Sequence, residues 1–115
     1  MAIAIIQSTL PDDPSCWHGQ DMLLALASVD LNPQLILYGH GLSLWHKNFD
    51  VERNNRSLHK RYRLLELYDC PAPWVLDTDL AERAWQRDDF IAPIEVIDRV
   101  ELQERLQNLQ KVLRY

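Results

Sequence analysis

Glycine is scarce in this chain, with three residues among 115. A phosphate-cradling loop draws on several glycines close together, so a nucleotide site of that type is not expected. Cysteine is almost as rare, and only Cys16 and Cys70 occur. Two thiols with no secretory leader point to a reducing, cytoplasmic setting. Long apolar runs are missing. The first run, residues 2–6, lacks a preceding basic segment and is far too short to cross a membrane, so no membrane association is expected. Linkers, repeats and low-complexity tracts are absent, and residues 1–115 are expected to form one domain. The four histidines, His18, His40, His46 and His59, show no paired ligand spacing, so neither a metal nor another cofactor is expected. A nucleophile elbow, a Ser-His-Asp order and a Walker loop are likewise lacking.

What is present is an ordinary globular composition, 47% apolar and 25% charged, enough to build a core without a disulfide or metal staple. Twelve basic residues stand against seventeen acidic ones, a net charge of −5. That balance argues against a protein that coats nucleic acid over its whole surface.

Ala2-Ile3-Ala4-Ile5-Ile6 is continuous, apolar and largely β-branched, the pattern of a strand buried on both faces. Residues 16–29 follow as a helix, apolar nearly all round over 22–27 and therefore expected to be well buried. Leu35-Ile36-Leu37-Tyr38 is a second buried strand, and Gly39 and Gly41 mark the turn after it. Residues 42–51 are irregular or a short helix. Asn55 or Ser57 can cap a helix reaching Tyr68, with Leu58, Tyr62 and Leu65 as its buried stripe.

Trp74-Val75-Leu76 is a third strand. Asp77 or Thr78 caps a helix over 80–87, and residues 94–97 form a fourth strand. Asp98 caps a last helix with Leu102, Leu106 and Leu109 on one face, and residues 111–115 close the chain as a strand. This β-α alternation predicts an α/β fold of flavodoxin-like type: a doubly wound, mostly parallel five-stranded sheet with helices on both faces. Binding sites in such sheets gather at the carboxyl ends of the strands.

Two thiols are weak catalytic candidates. Cys70 precedes the third strand, which puts it near the amino edge of the sheet, about 20 Å from the opposite edge. It suits a small apolar turn residue. Cys16 follows the first strand near a helix N-terminus, with His18 two residues on, a setting that can stabilise a thiolate. It can equally begin a buried helix beside Trp17. The two lie at opposite ends of the sheet, so no disulfide between them is expected.

The binding candidates are His40 at the carboxyl edge and the basic residues Arg56, Lys60 and Arg63, spaced to share one helical face. That face could meet solvent, an acidic protein or RNA phosphates. Trp45, Trp85 and Tyr115 could anchor a subunit contact or belong to the core. Paired acids, Asp12 with Asp13 and Asp77 with Asp79, fit caps and loops.

The chain resembles the DsrE/DsrF family of small sulfur-relay proteins, most closely its TusC/DsrF branch. The resemblance runs over nearly the whole length. It rests on Ile3-Ala4-Ile5-Ile6-Gln7-Ser8-Thr9 with Pro11, on Leu64-Leu65-Glu66-Leu67-Tyr68-Asp69 followed by Trp74-Val75, and on the closing Val112-Leu113-Arg114-Tyr115. The resemblance implies a flavodoxin-like subunit of a hetero-oligomer, with DsrE/TusD-like and DsrH/TusB-like sister subunits, that passes persulfide sulfur for tRNA wobble-uridine 2-thiolation or sulfur oxidation. Contact with tRNA would be at most indirect.

In the DsrE/TusD branch the sulfur-carrying cysteine ends the third strand. That position here is Leu76, which cannot carry a persulfide. The resemblance therefore implies a non-catalytic partner of a thiol-bearing sister. Two alternatives stay open: a sulfurtransferase using Cys16, and a homo-oligomeric binding module without a sulfur role.

Overall fold

Successive side chains of a strand point to opposite faces, so an unbroken apolar run can be satisfied only by cover on both sides. In a computed structural model describing residues 3–115, β1 (Ile3–Gln7) is such a strand. Ile5 faces one apolar cluster, and Ala4 and Ile6 face another. Ala2, expected to open this strand, lies outside the described residues.

The chain continues through α1 (Ser15–Ser28), β2 (Gln34–Leu37), a 3-10 segment (Gly39–Trp45), a small hairpin of β3 (Glu52–Arg53) and β4 (Arg56–Ser57), and the short helices α2 (Leu58–Tyr62) and α3 (Leu64–Leu67). Then come β5 (Trp74–Leu76), α4 (Asp77–Arg83), a 3-10 turn (Arg87–Asp89), β6 (Glu95–Ile97), α5 (Arg99–Gln107) and β7 (Lys111–Arg114).

The fold is flavodoxin-like α/β in its layers, but its strand order is not the flavodoxin order. Five parallel strands lie in the order β6-β5-β2-β1-β7. The chain steps outward from β1 through β2 and β5 to β6, then returns to place β7 on the other side of β1. Right-handed crossovers put the helices of the outward steps on one face and the helix of the return step on the other. One layer therefore holds α1, α2 and α3 over Ile5, Leu35, Leu37 and Val75. The other holds α5, whose Leu102 and Leu106, with Leu109 just past the helix end, cover Ala4, Ile6, Ile36, Leu76 and Ile97. Burying a side chain such as Ile5, Leu35 or Leu37 stabilises the fold by about 2 kcal/mol each.

Several local expectations are corrected. Of the two caps expected for the helix running to Tyr68, Asn55 is excluded, because Asn54 and Asn55 take left-handed backbone angles (φ 54° and 64°) and turn the chain into a hairpin. Asparagine tolerates that region better than other side-chain-bearing residues. Ser57 is the cap, its Oγ accepting from the Lys60 amide at 3.2 Å. The helix breaks once more at Arg63, yet Leu58, Tyr62 and Leu65 still form a buried stripe.

Met22 and Ala25 are exposed, so α1 is buried along one side only. Asp77 lies inside α4 rather than capping it, and Leu76 holds the cap position. That helix ends at Arg83, where Ala84 adopts φ 54°. Asp98 caps α5 as expected, accepting from the Glu101 amide at 2.7 Å.

Candidate functional site

The carboxyl edge of the sheet is where this topology places ligands, and the direction of strand addition reverses there between β1 and β7. At that point the chain is tightly closed. The Tyr115 amide donates to the Ile6 carbonyl at 2.7 Å, and the Ser8 amide donates to the Tyr115 carbonyl at 2.8 Å. A Cβ on Gly19 would stand 2.8 Å from Gln7 Nε2 and 2.9 Å from Tyr115 Cβ, so α1 presses directly on this seam. Tyr115 is half-buried and held by backbone bonds on β1.

Behind the seam lies a buried polar chain. Gln7 Nε2 donates to the Cys16 carbonyl at 2.9 Å, and the Tyr62 hydroxyl donates to Gln7 Oε1 at 2.5 Å. Burial pushes the Tyr62 hydroxyl well above its ordinary pKa. Cys16 is fully buried beside this chain, its thiol 3.5 Å from the Pro11 carbonyl. Burial first, and Asp13 second, push its pKa up to about 11, while the Trp17 amide and then Arg53 pull the other way. The helix N-terminus thus fails to deliver the stabilised thiolate expected of Cys16, because loss of solvent outweighs the helix field.

Cys70 sits at the opposite edge, where its amide donates to the Leu65 carbonyl at 3.1 Å. Burial and then Asp69 raise its pKa. It lines a cavity of about 250 Å³ with Trp45, Tyr62, Leu65, Pro73 and Ile91. Both cysteines are free thiols. Leu76 ends β5 and is 2% exposed, packed against α5 in the second apolar layer.

The other candidates are scattered. His40 is exposed in the 3-10 segment after β2, and the preceding Gly39 amide is held by the Asp79 carboxylate at 2.9 Å. Trp45, offered as a contact residue, is only 4% exposed. Its indole donates to the Ala92 carbonyl at 3.1 Å and meets Tyr62 edge-on at 5.2 Å, so it belongs to the core. Trp85 is half-buried against His46, with ring centroids 4.3 Å apart.

Arg56, Lys60 and Arg63 do not form one helical face. Arg56 stands on the hairpin, Lys60 on α2, and Arg63 borders the cavity beside Cys70. The hairpin turn removes Arg56 from the helix that would have aligned it.

Two features escaped the sequence. One is the hairpin itself, whose Asn54-Asn55 pair was the available turn signal. The other is a pair of buried histidines, His46 and His59. Burial lowers the pKa of both, with Asp89 opposing at His46 and Asp50 opposing at His59. Burial works to raise the Asp50 carboxyl, but the Ser57 hydroxyl and the His59 amide bond it and hold it below the ordinary carboxylate range. Nothing in the spacing of these residues announces that they meet.

No protein-family model matches this sequence, and no curated protein matches it. Among solved structures the comparison is different. The chain has the fold of the ychN protein from E. coli. The two superpose with a TM-score of 0.85 over 100% of this chain and 99% of that one, at 18% sequence identity. At that identity the likeness establishes the shared architecture and leaves the chemistry to the residues. Among the described residues no cluster of His, Cys, Asp and Glu could hold a metal ion. No helix among them is long and apolar enough to cross a membrane.

Proposed function

We propose that this chain is a non-catalytic, TusC/DsrF-like subunit of a sulfur-relay complex, supporting persulfide transfer by a thiol-bearing sister subunit. The observation that carries the proposal is Leu76. It occupies the carboxyl end of the third sheet strand, where the resembling family places its sulfur carrier, and it is buried in hydrocarbon. Neither cysteine is suited to replace it. Cys16 is inaccessible with a raised pKa, and Cys70 lies at the far edge with its pKa raised as well. The architecture held in common with the ychN protein over the full chain agrees with the fold this reading requires.

A supporting subunit needs a surface for its partners. Leu64, Leu67 and Tyr68 lie at helical spacing on and just after α3 and are 40%, 77% and 41% exposed. Apolar side chains grouped on one outward face mark a contact surface. Sister chains of DsrE/TusD-like and DsrH/TusB-like type are the partners this reading requires.

The test is in two parts. The purified chain is incubated with a small-molecule persulfide donor, and each cysteine is followed by mass spectrometry. Neither thiol should gain sulfur faster in the native protein than in a denatured control. Faster loading of Cys16 would replace the proposal with a sulfurtransferase. Tagged chain is then recovered from its native host. It should return with two other small α/β chains, and Leu67→Glu should release them. Recovery of copies of this chain alone would point to a homo-oligomeric module.

A further inference from the structure

Arg53 and Arg56 are cross-strand partners in the β3–β4 hairpin, flanking the Asn54-Asn55 turn. Side chains directly opposite in an antiparallel pair share a face and approach within about 5.5 Å at their Cβ atoms. Two guanidinium groups so placed repel each other. Among the described residues neither has a carboxylate within ion-pair distance. The hairpin pairs only two residues on each side, so it has little other stabilisation to set against the repulsion.

A third guanidinium enters the same groove. Arg61, from α2, is bound by Asp21 of α1 and lies 5.7 Å from the centre of the Trp17 ring. With His18 these residues line a groove of about 200 Å³. Its one carboxylate, Asp21, is already committed to Arg61. The result is a concentration of positive charge in a chain whose net charge is −5.

We propose that this groove binds a small tetrahedral oxyanion of the phosphate class, with Arg53 and Arg56 as its principal ligands. Guanidinium forks match phosphate oxygens two at a time, which makes arginine pairs strong and directional ligands for such groups. The groove is below the size of a pocket for a drug-sized ligand, which selects a single ion or one phosphoryl group. Its walls come from the first turns of α1 and from the segment after β2, both emerging at the carboxyl edge where this fold collects ligands. A bound dianion turns the repulsion between Arg53 and Arg56 into shared attraction. This inference does not depend on a role in sulfur relay.

The experiment compares thermal unfolding and calorimetric titration of the full chain in sodium phosphate and in sodium chloride at matched ionic strength. Phosphate should raise Tm above chloride and bind saturably. Arg53→Gln and Arg56→Gln should each weaken phosphate at least tenfold, and each should melt higher than the parent in phosphate-free buffer. Lys60→Gln, outside the groove, should change neither result. A parallel titration with O-phosphoserine separates the two sources of the anion: tighter binding than inorganic phosphate indicates a phosphoryl group carried on a larger ligand, and weaker binding indicates the free ion. Equal effects of phosphate and chloride, or unchanged phosphate affinity in both arginine variants, would overturn the proposal. NMR titration of the parent chain decides the matter if a variant fails to fold. Saturable shifts at the Arg53 and Arg56 side-chain N–H groups support it, and their absence refutes it.

Discussion

The Tyr62 hydroxyl donates to Gln7 Oε1 at 2.5 Å, and both side chains are fully buried. This bond joins the buried strand β1 to helix α2, 55 residues away in sequence. Tyr62→Phe would leave the Gln7 oxygen without its donor, at a cost of roughly 1–3 kcal/mol. Urea unfolding of Tyr62→Phe, Gln7→Met and the double variant measures it. The double variant should lose clearly less than the sum of the singles; strict additivity would show that the two groups do not interact.

Gly41 is fixed by approach rather than by angle. A Cβ there would stand 1.8 Å from the Gln7 carbonyl oxygen and 2.7 Å from its carbon, both backbone atoms that cannot rotate away. Gly41→Ala should cost about 3 kcal/mol or more, or prevent folding. Gly39 has φ +56° with open space around it, so Gly39→Ala should cost only about 1 kcal/mol. The expected order is Gly41→Ala far below Gly39→Ala in unfolding midpoint, and the reverse order would refute this assignment.

Stability should fall on mild acidification. Burial holds His46 and His59 below the ordinary pKa of 6.5, so below pH 6.5 the unfolded chain takes up protons that the folded chain refuses. Their contribution is complete above pH 6.5 and declines as pH falls toward the folded values. Asp50, held below 3.8, adds a separate loss only in stronger acid. Urea midpoints at pH 7.5 and 5.5 give the slope, and His59→Gln should flatten it. An unchanged slope in that variant would remove His59 from the account.

Ala84 ends α4 in the left-handed region at φ 54°, where its Cβ is strained. Ala84→Gly should stabilise the protein by up to about 1 kcal/mol, since glycine relieves the strain at a helix C-terminus. A lower thermal midpoint in this variant would contradict it.

Much of the architecture was legible before the structure. The run Ile3-Ala4-Ile5-Ile6 demands cover on both faces, and Asp98 and Ser57 announce helix starts because their side chains can satisfy free amides. Strand order was less legible. The sheet reads 4-3-2-1-5 in its own strands, whereas the usual flavodoxin order is 2-1-3-4-5. Alternation alone cannot choose, because both orders satisfy the same local patterns and right-handed crossovers. The basic triplet shows the same limit: spacing aligned Arg56 with Lys60 and Arg63, and two left-handed asparagines parted them.

What the sequence determined by itself is the α/β class, the buried strands, and the presence of Leu rather than Cys at position 76. These follow from local periodicity and residue chemistry. Only the tertiary structure decided the state of Cys16, the core position of Trp45, the meeting of His46 and His59 with Phe90 and Asp50, and the facing pair Arg53 and Arg56. Each depends on which segments lie against one another, and therefore on which groups lose water and which charges are forced together.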